Sequence, residues 1–187
     1  MKTIKRQQPV LLQIAHLGNP IVSKKAKEVN NPHDKEIQQL INDMVATCQD
    51  ADSVGIAAPQ VYKQFRLFIV ASHPNSRYPH APRMKPLPII NPEILSTSTK
   101  KVKDWEGCLS IPGIRGLVPR YSSIVVEYTS KNGKKVKRTL KDFVARIFQH
   151  EYDHLEGKVF LERVENAKEF ISEKEYQKMI KSKLRAK

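Results

Sequence analysis

Apolar residues fall at helical spacing in the first quarter of the chain. After the dipeptide Asn31-Pro32, apolar positions recur every three or four residues at Ile37, Leu40, Ile41, Met44, Val45 and Cys48. This spacing predicts an amphipathic helix of about 16 residues with one buried face, on which Cys48 is a small core side chain. Asn31 followed by Pro32 predicts the N-cap and the first helical residue.

The middle of the chain carries the patterns of strands and turns. Residues 65–72, FRLFIVAS, predict a buried strand, and residues 89–95, IINPEIL, predict a second, short one. Residues 123–140 predict a hairpin, because Asn132-Gly133 stands between two strand-like runs. Two further stretches predict irregular structure: a small-residue loop at 53–61 and a proline-rich loop or lid at 73–88.

A second helical pattern lies later in the chain. Residues 141–157 place Phe143, Ile147, His150 and His154 on one face, and Gly157 predicts the end of that helix. The final segment, from about 166 to 187, is helix-like and ends in a run of Lys and Arg. These elements predict one domain over residues 1–187 with an α+β fold. In it, mostly antiparallel sheets pack around a central helix, and a basic helix lies at the C-terminal end.

Composition narrows the class of protein. No apolar run approaches the roughly 20 residues that a membrane span needs, and the first 20 residues do not resemble a secretory signal. We therefore expect a cytoplasmic protein without a membrane partner, in which Cys48 and Cys108 are reduced thiols. The net charge of +14 favours residence near a polyanion, although charge alone does not separate nucleic acid, ribosome and membrane surface. No feature predicts recognition of a specific DNA site.

Residues 150–154 read His-Glu-Tyr-Asp-His, which is an H-E-x-x-H pattern. On a helix, His150 and His154 stand about 40° apart and can bind one metal ion, while Glu151 can reach a water beside that ion. The alternative is a pair of unconnected histidines on a surface helix. The apolar residues upstream favour a buried site, where two imidazoles need partners that a metal supplies.

A catalytic metal site of this kind needs a third protein ligand. The metzincin pattern would place a histidine where this chain has Phe160. A thermolysin-like site would use a downstream glutamate, and three candidates lie in a charged segment: Glu169, Glu173 and Glu175. Cys108 is the upstream candidate, because a thiolate binds such metals well and Gly107 lets the backbone come close. The residues alone leave these alternatives open.

Three stretches, in this order, resemble the peptide deformylases, a family marked by G-x-G-x-A-A-x-Q, E-G-C-L-S and Q-H-E-x-D-H. Here they read SVGIAAPQ (53–60), EGCLS (106–110) and QHEYDH (149–154), and the likeness covers most of the chain. Two positions depart from the pattern: Ser53 replaces the first glycine, and Arg146 stands where many bacterial members are apolar. The stretch around Arg146 and the proline-rich insert look more like the organelle-type branch, which leaves the shape of the methionine pocket open.

The resemblance implies removal of the N-formyl group from the initiator methionine of nascent polypeptides, with release of formate. It implies that Cys108, His150 and His154 hold one divalent ion, usually iron(II) in this family, although zinc, nickel or cobalt would also suit these ligands. A water on that ion would attack the formyl carbonyl, with Glu151 as general base and then general acid.

The resemblance also implies groups that hold the substrate. Gln60 and the backbone N–H of Leu109 would stabilise the oxyanion; without the resemblance, Gln60 would be interpreted as a loop side chain bonded to its own backbone. The peptide would lie extended along the backbone at Gly55 and Gly107, like an added strand. Three side chains would complete its binding site: Val54 and Ile147 in the methionine pocket, for which plain core packing is an equal alternative, and Arg115 beside the peptide or paired with Glu106.

The histidines need hydrogen-bond partners, and Glu106 and Gln149 are the candidates, whereas Asp153 is interpreted as a solvated charge. The basic segment 166–187 would contact ribosomal RNA, with a solvated helix end as the alternative. Three rival functions remain: a thermolysin-type peptidase, an RNA-binding protein with a structural metal, and a deformylase-like protein with altered activity.

Overall fold

The computed structural model describes residues 8–185, which form three α-helices, eight β-strands and four short 3-10 helices. The α-helices are α1 (Lys35–Asp50), α2 (Asp142–Leu155) and α3 (Glu173–Arg185). The strands are β1 (Gly55–Ala57), β2 (Leu67–Val70), β3 (Leu87–Thr97), β4 (Lys101–Cys108), β5 (Ile111–Tyr121), β6 (Ser123–Thr129), β7 (Lys135–Lys141) and β8 (Phe170–Ser172). The 3-10 helices are Pro20–Ser23, Ala58–Val61, Phe160–Arg163 and Ala167–Glu169.

The strands form two antiparallel sheets. The larger sheet has the order β1-β2-β3-β6-β7, and the smaller has the order β4-β5-β8. The predicted hairpin is confirmed, because β6 and β7 pair in register from Ser123↔Lys141 to Thr129↔Lys135. Both β1 and β4 are edge strands of their sheets, which leaves one side of each available to a further strand.

The larger sheet is covered on both faces by helices. Apolar residues of α1, among them Ile41 and Met44, pack with Leu67 and Ile69 on one face. Phe148 and neighbouring residues of α2 pack with Phe68 and other residues on the opposite face. Buried side chains therefore alternate between the two helices along β2, as the period of two in a strand requires. The predicted α+β fold with a central helix is confirmed.

Some predicted boundaries are wrong. Helix α1 begins at Lys35 rather than after Asn31, because the Asp34 side chain accepts from the Glu36 N–H at 2.8 Å and serves as the N-cap. The expected loop at 53–61 contains strand β1. The C-terminal helix begins at Glu173 rather than near residue 166, since β8 first pairs with β5. Residues 1–7 and 186–187, which belong to the predicted domain, lie outside the described residues.

Gly157 ends α2 as predicted, and its backbone explains why. It adopts φ +71°, while Lys158 N–H donates to Asp153 O at 2.9 Å and Gly157 N–H to His154 O at 3.2 Å, which is the Schellman pattern. Within residues 8–185, none of the helices is both long and apolar enough to cross a lipid bilayer.

We expect Gly157→Ala to destabilise the protein more than Gly18→Ala. Both glycines have positive φ, which costs an alanine about 1 kcal/mol or more. A Cβ at Gly157 would also lie 2.7 Å from Ser23 O, whereas a Cβ at Gly18 would meet nothing within 4 Å. Urea unfolding of the two variants measures the difference, and equal losses of stability would contradict the packing argument.

Candidate metal centre

Three side chains from two elements converge at one point between α2 and β4. His150 and His154 lie one turn apart on α2, and Cys108 is the last residue of β4. One ligand atom from each lies within 4.8 Å of the others, and Cys108 Sγ is 3.3 Å from His154 Nε2. The structure therefore brings together the upstream cysteine and the two histidines.

Glu106 fixes the orientation of His150. The Nδ1 of His150 lies 2.9 Å from Glu106 Oε2, and since a carboxylate accepts, this nitrogen carries the proton. The Nε2 of His150 is then the ring nitrogen that remains for the cluster. The expectation that Glu106 partners a histidine is confirmed, and such a partner orients a ligating imidazole and raises its basicity.

Glu106 in turn lies at the centre of a buried network of charges. Arg120 donates to both carboxylate oxygens, at 3.0 and 2.9 Å, and Arg146 donates to Oε1 at 2.7 Å. Arg120 also donates to Asp153 at 2.6 Å. The prediction that Asp153 is solvated is wrong: it is only 4% exposed and accepts from Arg163 as well. Its two arginine partners offset much of the cost of burying the carboxylate.

The electrostatic environment favours the ligating form of the cysteine. Burial alone would raise the pKa of the Cys108 thiol, but the imidazoles of His154 and His150 outweigh burial and hold that pKa well below its usual range. Burial would likewise lower the pKa of His150, yet Cys108 and Glu106 raise it well above its ordinary value. The cluster thus combines an anionic sulfur and an anionic carboxylate around two imidazoles, and a divalent cation would suit this charge.

The donor set fits a transition-metal ion. One thiolate and two imidazoles are ligands that zinc, iron, nickel and cobalt accept. Among the described residues, Glu151 Oε2 is a buried side-chain atom of this helix without a hydrogen-bond partner, and the Nε2 of His154 faces Cys108 Sγ at 3.3 Å. A polar cluster left partly unpaired in the interior is costly unless a further group completes it.

Glu151 lies beside the cluster and is itself buried. Burial raises the pKa of its carboxyl to about 7, and Cys108 and Glu106 contribute to the increase while the histidines oppose it. Gly55 makes room for this side chain, because a Cβ there would lie 2.9 Å from Glu151 Cδ and 3.0 Å from Ile147 Cγ2. A carboxyl that titrates near neutrality can both accept and return a proton.

Gln60 lies at the cysteine side of the cluster. Its Oε1 accepts from Ala57 N–H at 2.8 Å, so its Nε2 points towards Cys108 Sγ and Ser110 Oγ, both at 3.2 Å. The interpretation of Gln60 as a side chain bonded to its own backbone is therefore half right, because the bond to Ala57 aims the amide N–H at the cluster. Leu109, whose backbone N–H was predicted to act with Gln60, follows Cys108 directly and lines the same cavity.

A cavity of about 310 Å³ opens onto the cluster. Every residue predicted to bind substrate lines it: Val54, Gly55, Gly107, Arg115 and Ile147. Ser53 also lines it, and its backbone is not strained, because among the described residues other than glycine only Asp52, Tyr62, Asn91 and Asp142 have positive φ. The serine that replaces the first glycine of the motif therefore has an ordinary backbone conformation.

The proline-rich insert and α3 also contribute to the wall of this cavity, which the sequence does not predict. Arg115 donates to Glu173 of α3 at 2.5 Å and to the Tyr78 hydroxyl of the insert at 3.0 Å. Its guanidinium also lies over the rings of Tyr78 and Tyr176, 5.2 and 4.4 Å from their centroids. Of the two alternatives for Arg115, pairing with Glu106 is wrong, because Arg115 pairs with Glu173 instead. Only tertiary contacts bring these elements together, and no local pattern signals them.

Other predicted partners lie elsewhere. Gln149 bonds the backbone of Tyr121 in both directions, at 3.1 and 2.9 Å, rather than a histidine of the cluster. Glu173 bonds Arg115, and Glu169 bonds Lys103 at 2.6 Å. Glu175 bonds Lys178 at the surface. Within residues 8–185, the set that could hold a metal is the one containing Cys108, and none of the downstream glutamates belongs to it.

Comparisons with known proteins agree with the motifs. A model of the polypeptide deformylase family matches residues 11–170 of the chain. Peptide deformylase 2 of Nostoc sp. is 59% identical over 172 residues, which cover 92% of this chain and 96% of that protein. Peptide deformylase 2 of Shewanella oneidensis is 47% identical over 152 residues, covering 81% of this chain and 83% of that protein.

Solved structures give the same result. A class I type b peptide deformylase from Acinetobacter baumannii, crystallised with Met-Ala-Ser bound, matches with a TM-score of 0.81 and 43% identity, covering 83% of this chain and 99% of that chain. A peptide deformylase from Synechococcus elongatus in complex with actinonin matches with a TM-score of 0.76 and 34% identity, covering 90% of this chain and 89% of that chain. The likeness to the organelle-type branch stays a prediction.

We expect Asp153→Asn to destabilise the protein by about 3 kcal/mol. The substitution removes one of the negative charges that compensate the buried guanidinium of Arg120. The matched control is Glu127→Gln, which removes an exposed carboxylate 3.8 Å from Lys135 and should cost less than about 1 kcal/mol. Urea unfolding measures both. A loss for Asp153→Asn no larger than that of the control would mean that the buried network contributes little.

Proposed function

The chain belongs to the polypeptide deformylase family, and from that premise we propose how its own residues remove the N-formyl group from the initiator methionine of nascent polypeptides and release formate. The observation that carries this proposal is the convergence of Cys108, His150 and His154 beside a buried glutamate at the floor of one cavity. A binding protein with a structural metal would not need Glu151, buried and without a partner for its Oε2 among the described residues, at that place.

Cys108, His150 and His154 would hold one divalent ion, iron(II) by analogy with the family, with zinc, nickel or cobalt as substitutes. Such an ion, when bound, would supply a Lewis acid that lowers the pKa of a water and polarises the formyl carbonyl. The chain supplies the orientation of the ligands, since Glu106 holds Nδ1 of His150 and thereby directs Nε2 into the cluster.

Glu151 would move the proton. Its carboxylate would accept the proton of the attacking water at Oε2 and then give it to the methionine nitrogen as the C–N bond of the formamide breaks. The pKa near 7 that burial gives Glu151 suits both steps, because a general base and acid works best close to the working pH.

Gln60 and Leu109 would stabilise the negative charge that develops on the formyl oxygen. The bond from Ala57 N–H to Gln60 Oε1 holds the amide so that its Nε2 faces the cluster. The backbone N–H of Leu109 lies next in the chain after Cys108. A donor of this kind typically contributes about 10²–10³ in rate, because it is already oriented before the charge forms.

The peptide would bind as a strand between the two edge strands. Gly55 is in β1, Gly107 is in β4, and both line the cavity. Backbone pairing is independent of side-chain identity, which suits an enzyme that accepts many sequences. Val54 and Ile147 would contact the methionine side chain, and Arg115, held by Glu173 and Tyr78, would contact the peptide farther along.

The basic C-terminal end would bring the enzyme to its substrate. Helix α3 lines the cavity at Glu173 and contacts Arg115 through Tyr176, while Lys178, Lys181 and Lys183 lie farther along it. We place the enzyme in the cytoplasm, on the ribosome, where its cationic end would displace counterions from ribosomal RNA. A single domain over residues 1–187 would carry both the catalytic site and this contact.

The catalytic proposal is tested by formate release from formyl-Met-Ala-Ser, with metal content measured on the same samples. We expect Glu151→Gln to keep its metal and lose turnover by at least about 10³-fold, because the ligands remain and the proton acceptor is gone. Cys108→Ala should lose both metal and turnover. Absence of formate with the metal-loaded wild-type chain would overturn the proposal, and full metal binding by Cys108→Ala would favour a thermolysin-type site.

The ribosome proposal is tested separately by deleting residues 178–187. We expect weaker binding to ribosomes at low salt and unchanged turnover of formyl-Met-Ala-Ser, since Glu173 and Tyr176 remain in place. The deletion removes five cationic residues, and a control chain replaces five exposed lysines elsewhere by glutamine: Lys24, Lys35, Lys85, Lys100 and Lys158. If the control loses as much affinity as the deletion, net charge and not the C-terminal end is responsible.

A further inference from the structure

Arg146 is the one arginine of α2, and it lies one turn before His150 with only 7% of its surface exposed. Its Nη1 donates to Glu106 Oε1 at 2.7 Å and to Val118 O at 2.8 Å, and its Nη2 donates to Val102 O at 2.6 Å. The guanidinium therefore lies between α2 and the smaller sheet, and Arg146 also forms part of the wall of the cavity that opens onto the cluster.

Burying a guanidinium is unfavourable unless its donors are paired, and an apolar residue at such a place often gives equal or greater stability. Stability alone thus gives no reason for an arginine here. The partners of Arg146 supply a reason. One partner is the Glu106 carboxylate, which holds His150, and the other two are backbone carbonyls of the strand pair β4–β5, whose first strand ends at Cys108.

The bond from Arg146 to Glu106 affects the orientation of His150. Arg120 donates to both oxygens of Glu106, and Arg146 adds a second cation at Oε1 from the opposite element. With Oε1 shared by two arginines, the carboxylate plane is fixed and Oε2 stays aimed at His150 Nδ1, 2.9 Å away. The orientation of a ligating imidazole depends on the group that accepts its other N–H, so fixing the Glu106 carboxylate also fixes the His150 ring.

The bonds from Arg146 to the carbonyls of Val102 and Val118 affect the position of Cys108. Val102 lies in β4 and Val118 in the paired strand β5, opposite Asp104 of β4. The guanidinium thus bridges the helix that carries His150 and His154 and the strands that carry Cys108. Because a planar guanidinium has a fixed fork of donors, it sets the separation of these elements more sharply than an apolar contact does.

We propose that Arg146 is a positioning residue of the metal site: it orients His150 through Glu106 and holds α2 against β4 and β5 at the separation that lets Cys108 and both histidines bind one ion. This inference rests on the proposed ligand set. If the wild-type protein binds no Co²⁺, the proposed ligand set is wrong, and the role assigned to Arg146 is wrong with it.

The test compares Co²⁺ and Zn²⁺ binding by the full-length wild-type chain and Arg146→Met, in which an unbranched side chain of similar length removes the donors. Affinity is measured by competition with a chelator, and the ligand geometry is followed by the visible absorption of the Co²⁺ form. We expect about 10–100-fold weaker binding of both ions and a changed thiolate-to-cobalt band.

The matched control is Arg66→Met. Arg66 is another arginine with little exposure, bonded to Glu156 at 2.6 Å and to Pro92 O at 3.4 Å, and it does not contact Glu106. We expect it to keep wild-type metal affinity and spectrum. Wild-type affinity and spectrum in Arg146→Met, or equal losses in Arg66→Met, would overturn the proposal.

If Arg146→Met does not fold, Arg146→Lys decides the question. An ammonium group keeps the charge but cannot bond the carboxylate and two carbonyls in one plane. We expect folded Arg146→Lys to bind Co²⁺ several-fold more weakly than wild type, with a shifted spectrum. Unchanged affinity and spectrum in that variant would overturn the role assigned to Arg146.

Discussion

The buried carboxylate of Glu106 is the contact on which the rest of the site depends. It accepts from Arg120 and Arg146 and from Nδ1 of His150, and so joins the strand pair of the smaller sheet to the central helix. The opposing charges hold its pKa well below the usual range despite burial, so the carboxylate stays ionised in the interior. An ion pair of this kind adds little net stability, but it defines where the ligands lie.

The cavity beside the cluster is formed where two sheets present their edges to each other. Strands β1 and β4 lie at edges, and the glycines at 55 and 107 keep side chains out of the space between them. The proline-rich insert and α3 complete the wall through their contacts with Arg115. The first turn of α3 thus lines the cavity at Glu173, while the cationic residues proposed to bind the ribosome lie farther along the same helix.

Local signals in the sequence predicted part of this structure. Helix α2, with His150 and His154 on its buried face, followed from apolar spacing and the Gly157 stop, which are properties of neighbouring residues. Without the family motifs, the sequence does not decide whether Cys108 or a downstream glutamate is the third metal ligand, because β4 meets α2 only through tertiary packing. Asp153 was misjudged for the same reason, since its partner Arg120 is 33 residues away and no short-range pattern reveals a buried ion pair.

The thiolate of Cys108, as the proposed third ligand to the metal, distinguishes this site from that of a thermolysin-type peptidase. X-ray absorption spectroscopy of the zinc-loaded chain decides between the two ligand sets. We expect one sulfur at about 2.3 Å and two imidazole nitrogens at about 2.0–2.1 Å from the zinc. A first coordination shell of nitrogen and oxygen without sulfur would contradict it.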